Sequence, residues 1–203
     1  MQRLKEDIRK NILQEARKEF LDNGFKNASM RNIAKNTGVG LSNIYNYFKN
    51  KNEILEEVLK PLLQAFDKML EKHNSTEYIS LDIFISKDYQ QTQINKFVDL
   101  IFKYRKELKL LLFKVDGSSL ENFKEEYTNR HTEIGLEYLS KMKEKYPQVN
   151  ITISDFFIHT ISSWWLSIIG EIVSHELEVN EIQRFITEYM DFVTAGWKKI
   201  MNV

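Results

Sequence analysis

Between Ala28 and Glu53 the chain sets out Ser29, Arg31, Ser42, Asn43, Tyr45, Asn46, Tyr47 and Lys51 in close succession. These side chains are mostly donors. Hydroxyls, amides and cations of this kind hydrogen-bond phosphate oxygens and base edges. No nucleophile elbow, phosphate-binding loop or paired-carboxylate motif occurs anywhere in the chain. His73, His131, His159 and His175 are scattered without ligand spacing, and there is no cysteine, so neither a metal nor a cofactor is expected.

Charge points the same way. The chain is neutral overall, with 29 Lys+Arg against 29 Asp+Glu, but residues 1–60 hold 12 against 8. No carboxylate falls between Asp22 and Glu53, while Lys26, Arg31, Lys35, Lys49 and Lys51 do. A local basic patch on a neutral chain is the footprint of a phosphate-binding face. A chance solvated cluster is the other reading of the charges alone.

Helices must position these groups. Leu4, Ile8, Ile12, Ala16 and Phe20 recur every four residues, with Leu13 and Leu21 widening the stripe. Gly24 is the expected stop, with Phe25 folding back onto Phe20. Ser29 caps a short helix to about Thr37, Gly38 turns, and Val39 points inward. A second short helix runs from about Leu41 to Phe48, burying Ile44 and Phe48. Its other positions, Leu41, Ser42, Asn43, Tyr45, Asn46 and Tyr47, are left for a partner. Two short helices about a tight glycine turn, with a third behind them, form a helix-turn-helix, whose second helix fits the major groove. Asn50 followed by Glu53 reads as a capping box that opens a long helix to about Lys72, kinked at Pro61.

Ile33-Ala34, Gly38-Val39, Ile44-Tyr45-Asn46-Tyr47-Phe48 and Lys49-Asn50-Lys51-Asn52-Glu53 together resemble the TetR family of regulators. The resemblance covers about residues 5–59. It implies an all-α homodimer, typically a repressor released from its operator by a small molecule. It makes Arg31, Leu41, Ser42 and Asn43 base readers and Ser29, Tyr45, Tyr47 and Lys51 phosphate contacts. The family usually has a polar or small residue where this chain has Leu41, which cannot hydrogen-bond a base but can touch a thymine methyl. Arg31 has an alternative as an ion-pair partner of the first helix, Lys51 as a solvated lysine, and the two tyrosines as surface residues.

The expected architecture is all-α. A three-helix head over residues 1–50 joins a larger ligand-binding and dimerisation domain over 51–203, with 51–72 as the connecting helix. Helical periods cover about 94–115, 120–142, 154–175 and 181–200, while residues 74–88 give no clear period. Thr152 or Ser154 caps the third of these helices and Asn180 the last. Phe66, Phe102, Phe113, Tyr127, His131 and Trp164 are the candidates to line an effector site, though a helical aromatic stripe also serves as plain core. Trp164 and Trp165 stand about 100° apart on a helix, so one faces the interior and the other a partner subunit. The helices at 154–175 and 181–200 carry apolar residues nearly all round, and a second copy of the chain is their economical cover.

The apolar run from Phe156 to Val173 is interrupted by His159, Ser162, Ser163 and Glu171 and reads as a buried helix, not a membrane span. With no apolar leader after Met1, a cytoplasmic location is expected. The partners implied are double-stranded operator DNA, a small, largely apolar effector and a second subunit. A constitutive DNA-binding protein without effector, and a helical enzyme, are the rival readings.

Overall fold

The first helix, α1 (Gln2–Asn27), breaks where its one glycine stands, Gly24 taking φ 71° and ψ 169°. A Cβ at that position would sit 3.3 Å from the Lys114 carbonyl oxygen. The break frees the Phe25 N–H, which donates to Lys114 O at 2.8 Å. The Phe25 ring stacks on Phe20 at 6.0 Å, so the expected fold-back is present. Ile12, Ala16 and Phe20 are fully buried. The computed structural model describes residues 2–73, 75 and 78–203, without the side chains of residues 2–4 and 73. The proposed stripe residue Leu4 thus lies outside the described side chains.

Helix α2 (Met30–Thr37) starts at Ser29, whose hydroxyl accepts from the Asn32 N–H. Buried Glu19 of α1 accepts from the Ser29 N–H at 2.9 Å and from Asn32 Nδ2 at 3.3 Å, tying the two helices together. Gly38 closes α2 in the left-handed conformation, φ 68°. Helix α3 (Leu41–Ile44) is shorter than expected. Beyond Ile44 the Asn46 and Tyr47 N–H groups turn to carbonyls three residues back, at 3.1 and 2.9 Å, which tightens the turn leading to Phe48.

Helix α4 (Lys51–His73) runs unbroken through Pro61. Asn50 Oδ1 accepts from the Glu53 N–H at 2.9 Å, while the Glu53 carboxylate reaches Lys49 N, one residue before the expected capping-box partner. Further along are α5 (Asp82–Ile85), α6 (Lys87–Phe113), α7 (Phe123–Lys145), α8 (Asp155–Ser174) and α9 (Val179–Met201). No strand occurs among the described residues. The single turn of α5 falls in the stretch without a clear period. Ser154, not Thr152, caps α8. Glu178, not Asn180, caps α9, because Glu178 and Glu181 close a reciprocal capping box.

The helices group into two compact units that do not follow chain order. One comprises Met1–Gln64 with Lys106–Phe123, the other Ala65–Arg105 with Lys124–Val203, so α4 and α6 contribute to both. The first holds the helix-turn-helix. There the Arg17 guanidinium meets Glu107 at 2.5 Å, Lys114 Nζ donates to Leu21 O at 2.7 Å, and the Ser119 N–H donates to Asn52 Oδ1 at 2.9 Å. Helix α6 leaves helical geometry at Tyr104, φ −115°, next to the division at Arg105.

In the second unit Ile79, Phe84, Tyr138, Leu139, Met142, Val149, Ile158 and Met201 form one buried cluster from α5, α7, α8 and α9 and their loops. Among the described residues one helix, α8, is long and apolar enough to cross a membrane by composition. Its Ile158, Leu166, Ile169, Ile172 and Val173 are instead buried within the protein.

Substituting Gly24→Ala adds a Cβ at positive φ against Lys114. It should cost about 1–3 kcal/mol of stability, read as a lowered melting temperature in thermal denaturation.

Candidate nucleic-acid interface

The exposed edge of the helix-turn-helix is set by what it buries. Ile33, Ala34, Ile44 and Phe48 fill the interior, and α2 packs on α1 while α3 packs on α2. With Ile44 and Phe48 turned in, Ser42, Asn43, Tyr45 and Asn46 are turned out, and Tyr45 keeps 48% of its surface exposed. Leu41 and Tyr47 are half-buried beside them.

Asn46 Nδ2 donates to Asn43 Oδ1 at 3.0 Å. That bond fixes both amides and leaves Asn43 Nδ2 and Asn46 Oδ1 outward. The pair therefore offers one donor and one acceptor, the combination an adenine edge requires.

Arg31 is exposed and makes no hydrogen bond or ion pair among the described residues. Two acids of α1 are engaged elsewhere: Glu19 holds Ser29 and Asn32, and Glu15 holds Lys18. Ser29 is spent on capping α2, its oxygen facing the Asn32 N–H at 3.4 Å.

Lys51 is placed differently from a simple phosphate contact. Its ammonium donates to Phe25 O at 2.7 Å and Ala28 O at 3.1 Å, and stands 4.3 Å from the Phe25 ring centroid. Loss of water lowers its pKa from the ordinary lysine value. An ammonium has three donors, so one remains for a phosphate. Sequence reasoning missed this role, because its carbonyl partners lie 26 and 23 residues away in the chain.

The aromatic candidates of the second unit separate into two sets. Phe66, Tyr127 and His131 come together, with ring centroids 5.0 Å apart for the first pair and 5.9 Å for the second. Burial pushes the Tyr127 phenol far above its ordinary pKa. Ser162 Oγ stands 2.9 Å from both the Ile158 carbonyl oxygen and His131 Nδ1, which joins the imidazole to α8.

Phe102 stands apart from this group at 63% exposed, and Phe113 belongs to the first unit. Trp164 faces outward against Tyr189 and Phe192, while Trp165 packs on Phe97 at 4.3 Å. The sequence held that distinction: Trp165 shares the helical phase of buried Ile158, Ser162 and Ile169, and Trp164 does not.

Residues 12–58 match the sequence model of bacterial regulatory proteins of the tetR family. That match covers the helix-turn-helix and the helices on either side of it. Over 69 residues it is 39% identical to the uncharacterized HTH-type transcriptional regulator YhgD of Bacillus subtilis, covering 32% of this chain and 36% of the relative. The match thus spans little more than a third of that relative's length. Two solved structures share the architecture. NalD, the secondary repressor of the MexAB-OprM multidrug efflux pump in Pseudomonas aeruginosa, has a TM-score of 0.64 at 16% identity, over 91% of this chain and 95% of its own. FadR of Bacillus subtilis in complex with stearoyl-CoA has a TM-score of 0.57 at 17% identity, over 89% and 96%. At these identities the two structures establish the fold alone, and the family match lies in the head.

Replacing Asn43 with Ala should reduce discrimination at one base pair by about 1–3 kcal/mol. Replacing Tyr47 with Phe should weaken binding to all duplexes alike. Fluorescence anisotropy with a selected site and its single-base variants separates the two. Equal losses on every sequence for Asn43→Ala would remove it as a base reader.

Proposed function

We infer that the chain is a DNA-binding transcriptional repressor that acts as a homodimer on a palindromic operator and is released by a small, largely apolar effector. The observation carrying DNA binding is the outward edge of α3. There a fixed Asn43–Asn46 pair stands among hydroxyls and uncompensated cations, on a surface without a carboxylate from Lys26 to Asn52.

Dimerisation is supported by the outer face of α8 and α9. Phe156 is 79% exposed and Phe192 67%, with Trp164 and Phe185 beside them in sequence phase. Exposed aromatics grouped on two long helices are costly for a lone subunit. Ser163, Ser167, Ala195 and Gly196 are also exposed on these helices and let a second backbone approach. Two heads on a two-fold axis read half-sites about 34–36 Å apart, or a multiple of that spacing.

The effector reading rests on the second unit's aromatic interior, with the His131–Ser162 pair as its polar handle. FadR with stearoyl-CoA supports an apolar chain as the chemistry of that effector.

The test is selection of bound fragments from random duplex DNA by the purified chain, with oligomeric state measured by sedimentation. An inverted repeat should emerge, with affinity falling steeply in salt, by a log–log slope of about −0.9 per phosphate contact. Phe192→Arg should yield monomers and bind the repeat at least about tenfold more weakly. Stearoyl-CoA added to the wild-type complex probes release. A monomer that selects a single asymmetric site would overturn the dimeric reading.

A further inference from the structure

A cleft of about 360 Å³ opens in the first unit between α1 and the end of α6. Its wall carries five cations, Arg17, Lys18, Lys106, Lys109 and Lys114, against one carboxylate, Asp22. Nothing in the DNA-reading edge uses them.

Two of these cations are ion-paired, Lys18 with Glu15 at 2.5 Å and Arg17 with Glu107 at the same distance. Arg17 is fixed by buried Glu107, whose Oε1 takes both Nε and a terminal nitrogen at 2.5 Å. Lys114 donates to the Leu21 carbonyl at 2.7 Å, a neutral acceptor that anchors the ammonium without cancelling its charge. Lys106 is exposed and forms no ion pair among the described residues. Asp22 pairs with neither of these lysines.

Lys106 and Lys114 line one concavity with no ion pair among the described residues, and a bound anion compensates them while meeting donors already in place. Leu21 and Leu110 supply an apolar surface in the same wall.

We propose that this cleft binds a small phosphorylated metabolite, an organic phosphate of at least two negative charges whose apolar part lies on Leu21 and Leu110. A duplex is the wrong shape for it. The cleft is concave, and Arg17 and Leu21 each follow a buried residue of α1, Ala16 and Phe20, by one position. They therefore stand about 100° round the helix from its packed side. The site is separate from the effector proposed for the second unit, and operator binding can hold while this proposal fails.

The test is calorimetric titration of the full chain with pyrophosphate and with ADP at about 0.15 M salt, where exposed charges are screened beyond about 8 Å. One saturable site per chain is expected. Its affinity should fall about tenfold in the Lys106→Gln, Lys109→Gln double variant and stay unchanged in Asn43→Ala. If the double variant does not fold, exposed Lys106→Gln alone carries the test, with a loss of about threefold. Heat that does not saturate, or lysine variants that bind as the wild type does, would overturn the proposal. So would a loss in Arg31→Ala instead, which would place the phosphate on the DNA-reading face.

Discussion

Phe25 is held from three directions, and the first unit is organised around that hold. Gly24 takes the backbone into a conformation that ordinary residues avoid, which turns the Phe25 ring onto Phe20 and its N–H toward Lys114. Lys51, the first residue of α4, caps the ring with its ammonium and binds the carbonyls of Phe25 and Ala28. One small segment thereby joins α1, the approach to α2, the start of α4 and the end of α6. A ring in contact with a partly dehydrated cation gains more than an exposed pair would, and backbone acceptors keep that cation in place.

The reading edge follows from this arrangement. Glu19 fixes the first residue of α2 from the other side, so α2 is tethered at its start by two elements of the same unit. Helix α3 is then set by packing alone: Ile44 and Phe48 are buried, and the residues between them are left outward. Its short length suits that task, since only the side chains of one turn and the tighter turn after it need to reach a groove. The cations around this edge remain uncompensated because the nearby acids of α1, Glu15 and Glu19, already have partners.

Much of this was legible in the sequence. Gly24-Phe25, Ser29, Gly38 and Asn50 each announce a helix boundary through a local rule, and local rules survive folding when no distant contact opposes them. The end of α3 was misplaced because its continuation uses bonds three residues back, which leave the side-chain pattern unchanged. Asn180 lost the cap of α9 to Glu178, since two reciprocal glutamate bonds outweigh one amide. The role of Lys51 was hidden for a different reason. Its carbonyl partners lie 26 and 23 residues away in the chain, and no periodicity encodes such a contact. Likewise the aromatic pattern marked Phe66, Tyr127 and His131, which do meet, but also Phe102, which is left exposed. Composition names the ring; helical phase and chain path decide where it stands.

The Lys51 tie supports the helix-turn-helix head. Lys51→Met keeps the length of the side chain and removes the ammonium. Melting temperature, amide hydrogen exchange across Met30–Thr37 and affinity for duplex DNA should be measured together on that variant. A stability loss of about 1–3 kcal/mol, faster exchange in α2 and weaker binding to every duplex are predicted as one linked change. Weaker DNA binding with an unchanged melting temperature and unchanged exchange would contradict the account and make Lys51 a phosphate contact alone.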